Sequence, residues 1–321
     1  MISVAVRAYN QEKEVVRALQ SIVNQTVMCP VEIVVGVDYS TDNSLGVVQE
    51  FCKHLPDNYS YKILAHKEQL GGGRNFIACL EACTGKYIAI LDGDDYYEDP
   101  EKNQKQMDVM EKDPSLGLVY GHYIIESPLA EGGRTNSERP APEANIFTQM
   151  LKGNFLGTNI TMFRRELLKY VDWDYYLSQQ WPQDDYYLWL EISNHTKFYQ
   201  IPEYCAVYTV ARNLADDANL YASVAYDKKT TEIREYYIRK YPHNTELSVE
   251  DVWFNHYKTQ FRHAVLAADY AFAHDAVEKM HALGRYERYY TIFGSKIVWY
   301  PYMLYRKIKF GTRKGFKGYF E

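Results

Sequence analysis

The first 125 residues alternate short apolar runs with segments whose apolar positions recur at helical spacing. Residues 2–8 and 31–37 are almost entirely apolar and rich in β-branched side chains, which predicts two buried strands. Between them, residues 12–24 place apolar side chains every three or four positions, the pattern of an amphipathic helix. The chain therefore opens as strand, helix, strand.

The same alternation continues to residue 125. It predicts further strands at 61–66, 87–91 and 116–123, separated by helices at 44–51 and 75–83 and by a helix that Asp99-Pro100-Glu101 opens. Continuous apolar strands separated by helices are typical of parallel sheets that are covered on both faces. We therefore predict an α/β fold with a mostly parallel, Rossmann-like sheet flanked by helices.

The pattern changes twice further along the chain. Residues 126–145 are rich in Pro, Gly, Glu and Ser and predict a long surface loop. A short helix, a strand near 159–163 and a helix from Pro182 to about Asn194 follow. From about residue 220 the pattern is helical without clear strands. We predict one domain at 1–215 and a helical C-terminal region at 216–321.

Charge is unevenly distributed along the 321 residues, whose formal net charge is -6. Residues 285–321 contain nine Lys or Arg side chains and two Glu, so the remainder of the chain is strongly acidic. An acidic body argues against nucleic acid as the ligand of the main domain. The 31 tyrosines indicate either sugar-facing or interface-facing surface or a compositional bias.

Five scattered cysteines predict reduced thiols and a cytoplasmic location. Cys79 and Cys83 lie one helical turn apart in an apolar segment, which favours packed thiols over a metal site. The N-terminal residues lack a basic region followed by a long apolar core, and no stretch of 18 apolar residues exists. We expect neither a signal peptide nor a membrane-spanning helix.

Polar side chains follow three of the predicted strands, where ligands bind in open α/β sheets. The first strand ends in Ala8-Tyr9-Asn10, the second in Asp38, and the fourth in Asp92-Gly93-Asp94-Asp95. Three carboxylates within four residues repel each other, and a divalent cation bridging to phosphate would compensate them. Gly93 leaves room for a diphosphate near the backbone. The alternative is a solvated turn.

Two further segments carry candidate chemistry. Asp184-Asp185 falls in the first turn of a predicted helix, where acids are favoured by the helix dipole alone. A transferase also needs a base separate from its metal ligands, and a carboxylate there could deprotonate an attacking hydroxyl. Residues 70–75 form a glycine-rich helix start whose amides could cradle phosphate and whose Arg74 could read a base or a phosphate.

These motifs, in this order and spacing, resemble the family 2 inverting glycosyltransferases, which have the GT-A fold. The resemblance covers about residues 1–212 and rests on five segments: 3–10, 19–26, 32–42, 85–95 and 184–189. It implies that Ala8, Tyr9, Asn10, Asp38 and Arg74 hold the nucleotide. It also implies that Asp92 lies near the ribose or the metal, with Gly93 beside it in the nucleotide site, that Asp94 is the main ligand of Mn²⁺ or Mg²⁺ in an Asp-x-Asp motif, and that Asp185 is the general base.

Three departures from the family pattern affect the nucleotide contacts. Val37 replaces an acid, Tyr39 replaces a small residue, and Thr209 stands where an Arg is common, leaving Arg212 as a substitute diphosphate contact. The implied activity is metal-dependent transfer of a sugar from a nucleotide-diphosphate sugar, expected to be a UDP-sugar, to a glycan or lipid-linked acceptor in cell-surface polysaccharide synthesis. The alternatives are an inactive nucleotide-sugar-binding module and a nucleotidyltransferase.

The tail at 290–321 interleaves aromatic with basic side chains. This composition suits peripheral contact with an anionic membrane, at the inner face if the protein is cytoplasmic. A homodimer contact or a packed helical extension is the alternative.

Overall fold

The computed structural model describes residues 1–128, 133–210, 220–285 and 292–310, with the side chains of the last segment described to residue 305. The strands in chain order are β1 Ile2–Ala8, β2 Val31–Val37, β3 Tyr59–Ala65, β4 Tyr87–Asp92, β5 Tyr96–Tyr97, β6 Leu116–Glu126, β7 Arg134–Ser137, β8 Thr161–Arg164 and β9 Lys197–Thr209.

The helices in chain order are α1 Val15–Val23, α2 Ser44–Cys52, α3 Gly72–Ala82, α4 Lys102–Lys112, α5 Ile146–Lys152, α6 Trp173–Ser178, α7 Asp184–Ile192, α8 Leu220–Lys240, α9 Val249–Ala267, α10 Tyr270–Ala282 and α11 Lys296–Phe310. Short 3-10 turns lie at Thr158–Ile160 and Arg165–Tyr170.

The described strands form one sheet in the order β3-β2-β1-β4-β8-β6-β9-β5, with β7 paired to β6. The four strands from β3 to β4 are parallel, as the apolar runs predict. Beyond β4 the sheet is mixed, because β8 runs antiparallel to both of its neighbours while β6 and β9 pair in parallel. The predicted α/β fold is confirmed, and the part of the sheet beyond β4 contains antiparallel as well as parallel strand pairs.

Several elements differ from the sequence-based expectation, which contained neither β5 nor α6. The segment 126–145 is not one loop, because Arg134–Ser137 pairs with the end of β6 as an antiparallel strand. Strand β9 was not predicted, since polar side chains interrupt its buried positions and it has no continuous apolar run. Its far end pairs with β6 and with the two-residue strand β5.

Helix α3 packs closely against β2, the second strand from one edge of the sheet. Asn75 is buried, and its Nδ2 donates a hydrogen bond of 2.9 Å to the carbonyl oxygen of Gly36. A Cβ at Gly36 would overlap Asn75 Oδ1 and Cys79 Sγ. Cys79 and Cys83 are both buried and their thiols donate to the carbonyl oxygens of Val6 and Cys79, so they are packed thiols as predicted.

The chain divides into two compact units. The first contains the described residues up to 210 together with Tyr241–Glu246, and the second contains α8 and the described residues from Leu247 onward. The expected domain boundary at 215 lies outside the described residues.

The segment Tyr241–Glu246 packs against α5 and α7 of the first unit. The hydroxyl of Tyr241 donates to Oε1 of Glu191, which is 1% exposed, over 2.5 Å. Asn244 donates to Asn194 Oδ1 over 2.9 Å, and its own carbonyl accepts from Asn145 Nδ2 over 2.8 Å. This segment therefore supplies hydrogen-bond partners to polar side chains of the first unit.

The second unit has its own apolar core, built by α9, α10 and α11. Trp299 is 1% exposed and packs edge-on to Phe261 and Tyr270, with ring centroids 6.4 and 6.0 Å apart. A capping box at Ser248 and Asp251 begins α9, and Asp269 caps α10. No helix in the described part of the chain combines the length and hydropathy needed to cross a membrane.

Replacing Gly36 by Ala should destabilise the first unit. The added methyl meets a buried amide and a buried thiol, and such overpacking costs about 1–3 kcal/mol. The measurement is the urea unfolding midpoint. Gly72→Ala is the matched control, since a Cβ there meets nothing within 4 Å and lies at a helix start. Equal midpoints for the two variants would contradict this account of the α3–β2 contact.

Candidate active site

A pocket of about 380 Å³ opens at the carboxyl ends of β1, β2 and β4. This is the edge of the sheet at which the sequence places its polar side chains. The lining residues are Arg7, Ala8, Tyr9, Gln11, Asp38, Gln69, Gly71, Gly72, Asn75, Asp92, Asp94, Asp95 and Tyr208. Five of the predicted site residues (Ala8, Tyr9, Asp38, Asp92 and Asp94) therefore share one cavity, while Asn10, Gly93, Arg74 and Asp185 are not among its lining residues.

Arg7 joins the two acidic motifs. Its Nε donates to Asp92 Oδ1, its Nη2 donates to Asp92 Oδ2 over 3.2 Å, and its Nη1 donates to Asp184 Oδ2 over 2.9 Å. The guanidinium also lies over the ring of Phe76, 5.0 Å from its centroid. Burial alone would lower the pKa of Arg7, but the charges of Asp92 and Asp184 outweigh it and raise the pKa. Arg7 thus stays charged and is shared as an ion-pair partner by both acids.

Asp95 is held by uncharged donors. It is 2% exposed, and its two carboxylate oxygens accept hydrogen bonds of 2.8 Å from Asn159 Nδ2 and from the backbone amide of Thr209. Burial, together with the charge of Asp92, raises the pKa of Asp95 to about 8. The geometry makes Asp95 a link between the acidic turn and the end of β9.

Asp94 keeps its carboxylate in the pocket without a neutralising cation among the described residues. Burial, and then the charge of Asp92, raises the pKa of Asp94. Its backbone carbonyl is fixed by Arg17, whose Nη2 donates to it over 3.0 Å and to Thr209 Oγ1 over 3.2 Å. The turn is therefore anchored from behind while the Asp94 side chain stays available to a ligand.

Asp38 anchors the glycine-rich loop. Its carboxylate accepts hydrogen bonds from the backbone amides of Leu70 and Gly71, over 2.8 and 2.9 Å, and its own amide donates to the carbonyl of Ala8. Gly71 has a φ of 83°, a conformation that favours glycine. Asp38 therefore shapes the wall of the pocket through the loop that it holds.

Asn10 and Gly93 also have local bonding roles. Asn10 has a φ of 52° and accepts a hydrogen bond of 2.8 Å from the Thr41 amide, which closes the β1 turn against the β2 turn. Gly93 donates its amide to the carbonyl of Arg7, and a Cβ there would overlap Gln11 Oε1. Arg74 is exposed near the start of α3. Arg212 lies outside the described residues.

Asp185 lies beside Asp184 in the first turn of α7. Its Oδ2 accepts a hydrogen bond of 3.3 Å from Asn154 Nδ2, and the amide of Leu156 donates to Asn154 Oδ1, which orients that side chain. Burial and the neighbouring charge of Asp184 raise the pKa of Asp185 to about 6. A carboxylate with such a pKa is suited to accept a proton near neutral pH.

Several side chains of this site had no role in the sequence-based prediction, among them Arg7, Asn154, Asn159 and Tyr208. Arg7 interrupts an otherwise apolar strand, and a charge in a buried strand is the signal that could have identified it. Asn154, Asn159 and Tyr208 gave no local signal, because their partners are remote in sequence. Tyr208 lines the pocket and packs against Tyr123, with ring centroids 6.1 Å apart.

The described residues contain no group of three or more His, Cys, Asp or Glu side chains arranged to hold a metal ion. A cation at Asp94 would therefore take most of its ligands from phosphate oxygens and water. Mg²⁺ and similar ions commonly bind in this way, with one or two protein carboxylates.

Residues 3–171 match the sequence model of the family described as glycosyl transferase family 2. The chain spans about half the length of the first curated relatives that it matches, 47% of three mycobacterial proteins. The Escherichia coli UDP-Glc:alpha-D-GlcNAc-diphosphoundecaprenol beta-1,3-glucosyltransferase WfgD is 28% identical over 194 residues, which cover 60% of this chain and 69% of that protein.

Solved structures share the fold. Mannosyltransferase PcManGT from Pyrobaculum calidifontis, in complex with GDP-Man and Mn²⁺, gives a TM-score of 0.53 at 17% identity, over 96% of this chain and 87% of its own. S. aureus TarS 1-349 in complex with UDP-GlcNAc gives 0.54 at 14% identity, over 89% and 93%. At these identities the likeness concerns the fold alone.

Replacing Arg7 by Met should destabilise the first unit strongly. The change leaves Asp92 and Asp184 partly buried without their cation, and removal of one partner of a buried pair costs about 3–5 kcal/mol. Because these side chains are about one quarter or less exposed, we expect the lower end of that range. Urea unfolding measures it, with the exposed Arg74→Met as control, expected to change stability by less than about 0.5 kcal/mol. A similarly small effect of Arg7→Met would contradict the pairing.

Proposed function

The chain belongs to glycosyl transferase family 2 and has a GT-A fold, and from this premise we propose that it is an inverting glycosyltransferase. It would move a sugar from a nucleotide-diphosphate donor to an acceptor hydroxyl. One observation supports this above the others. Arg7 pairs with both Asp92 and Asp184, whereas Asp94 and Asp185 make no ion pair with any described side chain, and we take these two acids as the ones available for chemistry.

Asp185 is proposed as the general base. Its carboxylate takes the proton of the acceptor hydroxyl while that oxygen forms a bond to the anomeric carbon of the donor. The bond from the anomeric carbon to the diphosphate oxygen breaks with its electron pair leaving on the diphosphate. Attack from the face opposite the leaving group inverts the configuration. Asn154 would hold the accepting oxygen in place through its bond to Asp185.

Asp94 is proposed as the protein ligand of Mn²⁺ or Mg²⁺. The site fits such an ion because the Asp94 carboxylate lines the pocket beside Asp92 and Asp95 and makes no ion pair with a described side chain. When bound, the ion would offset the charge that develops on the departing diphosphate. Mn²⁺ in PcManGT supports the choice of metal.

The nucleotide would lie against Ala8, Tyr9 and the loop that Asp38 holds, with Asn10 and Gly93 shaping the turns behind it. Gly72, at the start of α3, lines the same pocket, and its amide would suit phosphate, whereas the amide of Gly71 is bonded to Asp38. Arg74, exposed near the start of α3, would reach the nucleotide from outside. The name of the E. coli relative gives UDP-Glc as its donor, which supports a UDP-sugar here. PcManGT is in complex with GDP-Man, so the nucleotide base of the donor is decided by the binding test below.

The proposed acceptor is a glycan or a lipid-linked sugar of a cell-surface polysaccharide. The named acceptor of the E. coli relative, a diphosphoundecaprenol-linked sugar, supports this class. The remaining proposed partners are the inner face of the membrane, contacted peripherally through 290–321, and a second copy of the chain in a homodimer. Residues 290–291 and 311–321 of that segment lie outside the described residues. Retention of both Asp94 and Asp185 favours an enzyme over an inactive nucleotide-sugar-binding module.

The first test is nucleotide binding. Titration calorimetry of wild type with UDP, GDP, TDP and CMP should show one diphosphate whose affinity rises with Mn²⁺. Asp94→Ala should remove that rise and weaken binding by about tenfold or more, equivalent to about 1.4 kcal/mol. Asp57→Ala, which removes an exposed acid, is the control. If no nucleotide binds in a metal-dependent way, Asp94 is not a metal ligand and the acidic turn is structural.

The second test separates Asp185 from donor binding. Asp185→Asn should lower transfer by about 10²–10⁴-fold and leave donor affinity unchanged, because the amide cannot take a proton. Asp174→Asn is the matched control, since Asp174 is an exposed acid in the first turn of α6. Retained turnover in Asp185→Asn would eliminate it as the base. Product identity should be checked so that donor hydrolysis is not counted as transfer.

The pH profile of wild type carries a related expectation. Asp185 must be deprotonated to act, so kcat/KM should fall as the pH drops through about 6. Asn154→Ala removes a bond to the charged form, so its acid limb should move to higher pH. An unmoved limb would mean that another group sets the profile.

A further inference from the structure

Arg17, near the start of α1, contacts four separate segments of the first unit. Its Nη2 donates to the backbone carbonyl of Asp94 over 3.0 Å and to Thr209 Oγ1 over 3.2 Å. Its Nη1 pairs with Glu126 Oε2 over 3.3 Å. The guanidinium also lies over the ring of Tyr96, 4.3 Å from its centroid. One side chain therefore joins the acidic turn to β5 and to the ends of β6 and β9.

The bonds of Thr209 tie the acidic turn to the end of β9 twice. The backbone amide of Thr209 donates to Asp95 Oδ1 over 2.8 Å, and its hydroxyl accepts from Arg17. Arg17 in turn donates to the carbonyl of Asp94, the neighbour of Asp95 in the chain. One tie is thus direct and the other runs through Arg17. Together they hold the backbone that carries the Asp94 side chain in one orientation.

The end of β9 also contributes to the pocket wall. Successive side chains of a strand point to opposite faces, and here Tyr208 lines the pocket while Thr209 meets Arg17. Arg17 is not among the lining residues of the pocket. It therefore restrains two parts of the wall, the acidic turn and the end of β9, from outside the cavity.

We propose that Arg17 is a positioning residue for metal-dependent donor binding. By holding the carbonyl of Asp94, it keeps the Asp94 carboxylate directed at a cation on the donor diphosphate. The inference rests on the proposed role of Asp94 as a metal ligand. Arg17 and Glu126 are 43% and 32% exposed, and ion pairs of this exposure contribute little to stability. Stabilisation of the fold alone is therefore a poor explanation of the Arg17 contacts.

The test is titration calorimetry of Arg17→Met with UDP and with GDP, each without and with Mn²⁺. We call the increase in affinity on adding Mn²⁺ the Mn²⁺ gain. Met keeps an apolar stem but cannot bond the Asp94 carbonyl, so the Mn²⁺ gain should fall by about tenfold or more, as when groups that orient metal ligands are removed. Affinity without Mn²⁺ and the urea unfolding midpoint should stay as in wild type. Lys53→Met is the matched control, since it removes another exposed, paired cation.

Glu126→Gln separates the ion pair of Arg17 from its bond to the acidic turn. It removes the charge of the partner but leaves the bonds of Arg17 to Asp94 and Thr209, so the Mn²⁺ gain should be kept. An equal loss of the gain in Glu126→Gln and Arg17→Met would overturn the proposal. So would a full gain in Arg17→Met. A loss of gain together with lower Mn²⁺-free affinity and a lower urea midpoint would also overturn it, because Arg17 would then support the fold in general.

Asp94→Ala, measured in the same way, distinguishes a failure of this inference from a failure of the proposed function. If Asp94→Ala loses the Mn²⁺ gain and Arg17→Met keeps it, only the role of Arg17 is wrong. If Asp94→Ala keeps the gain, or wild type shows none, Asp94 is not the metal ligand and both proposals are wrong. Loss of the gain in both variants, with Lys53→Met and Glu126→Gln like wild type, is the result that we expect.

Discussion

The candidate site depends on a single cation, Arg7, placed between two acids that come from distant parts of the chain. Asp92 ends a strand and Asp184 begins a helix, and the negative charges of both carboxylates lie in a region that is largely shielded from water. Without a cation between them, these acids would repel each other and the segments that carry them would separate. Arg7 therefore stabilises the fold and fixes the geometry of the site with the same contacts.

The same arrangement gives each acid a distinct environment. Asp92 and Asp184 share the charge of Arg7, Asp95 is held by uncharged donors, and Asp94 and Asp185 make no ion pair with a described side chain. The uncharged hydrogen-bond donors to Asp95 come from the turn before β8 and from the end of β9, so the mixed half of the sheet positions the acidic turn. A parallel sheet alone would provide the ligand-binding edge but not these supports.

The sequence predicted what is local and missed what is remote. Strands β1 and β2 were predicted to the residue, because burial on both faces leaves a continuous apolar run. The acidic turn and the Asp184-Asp185 pair were predicted because strand ends and helix starts are visible in the sequence. Thr209 lies 114 residues from its partner Asp95, and no pattern of spacing records such a contact. The position of Asp38 at the end of β2 was predicted, but its role as the anchor of the glycine-rich loop was not.

The segment Tyr241–Glu246 has a consequence for how this architecture could have been assembled. The chain leaves the first unit, forms α8, returns for these six residues and leaves again. Its return supplies a hydroxyl to the buried Glu191, so a fragment that stops before α8 would lack part of its own interior. A helical unit of this kind is not a module that one recombination junction could exchange. Its replacement would have to preserve the returning segment, which constrains the evolution of both units together.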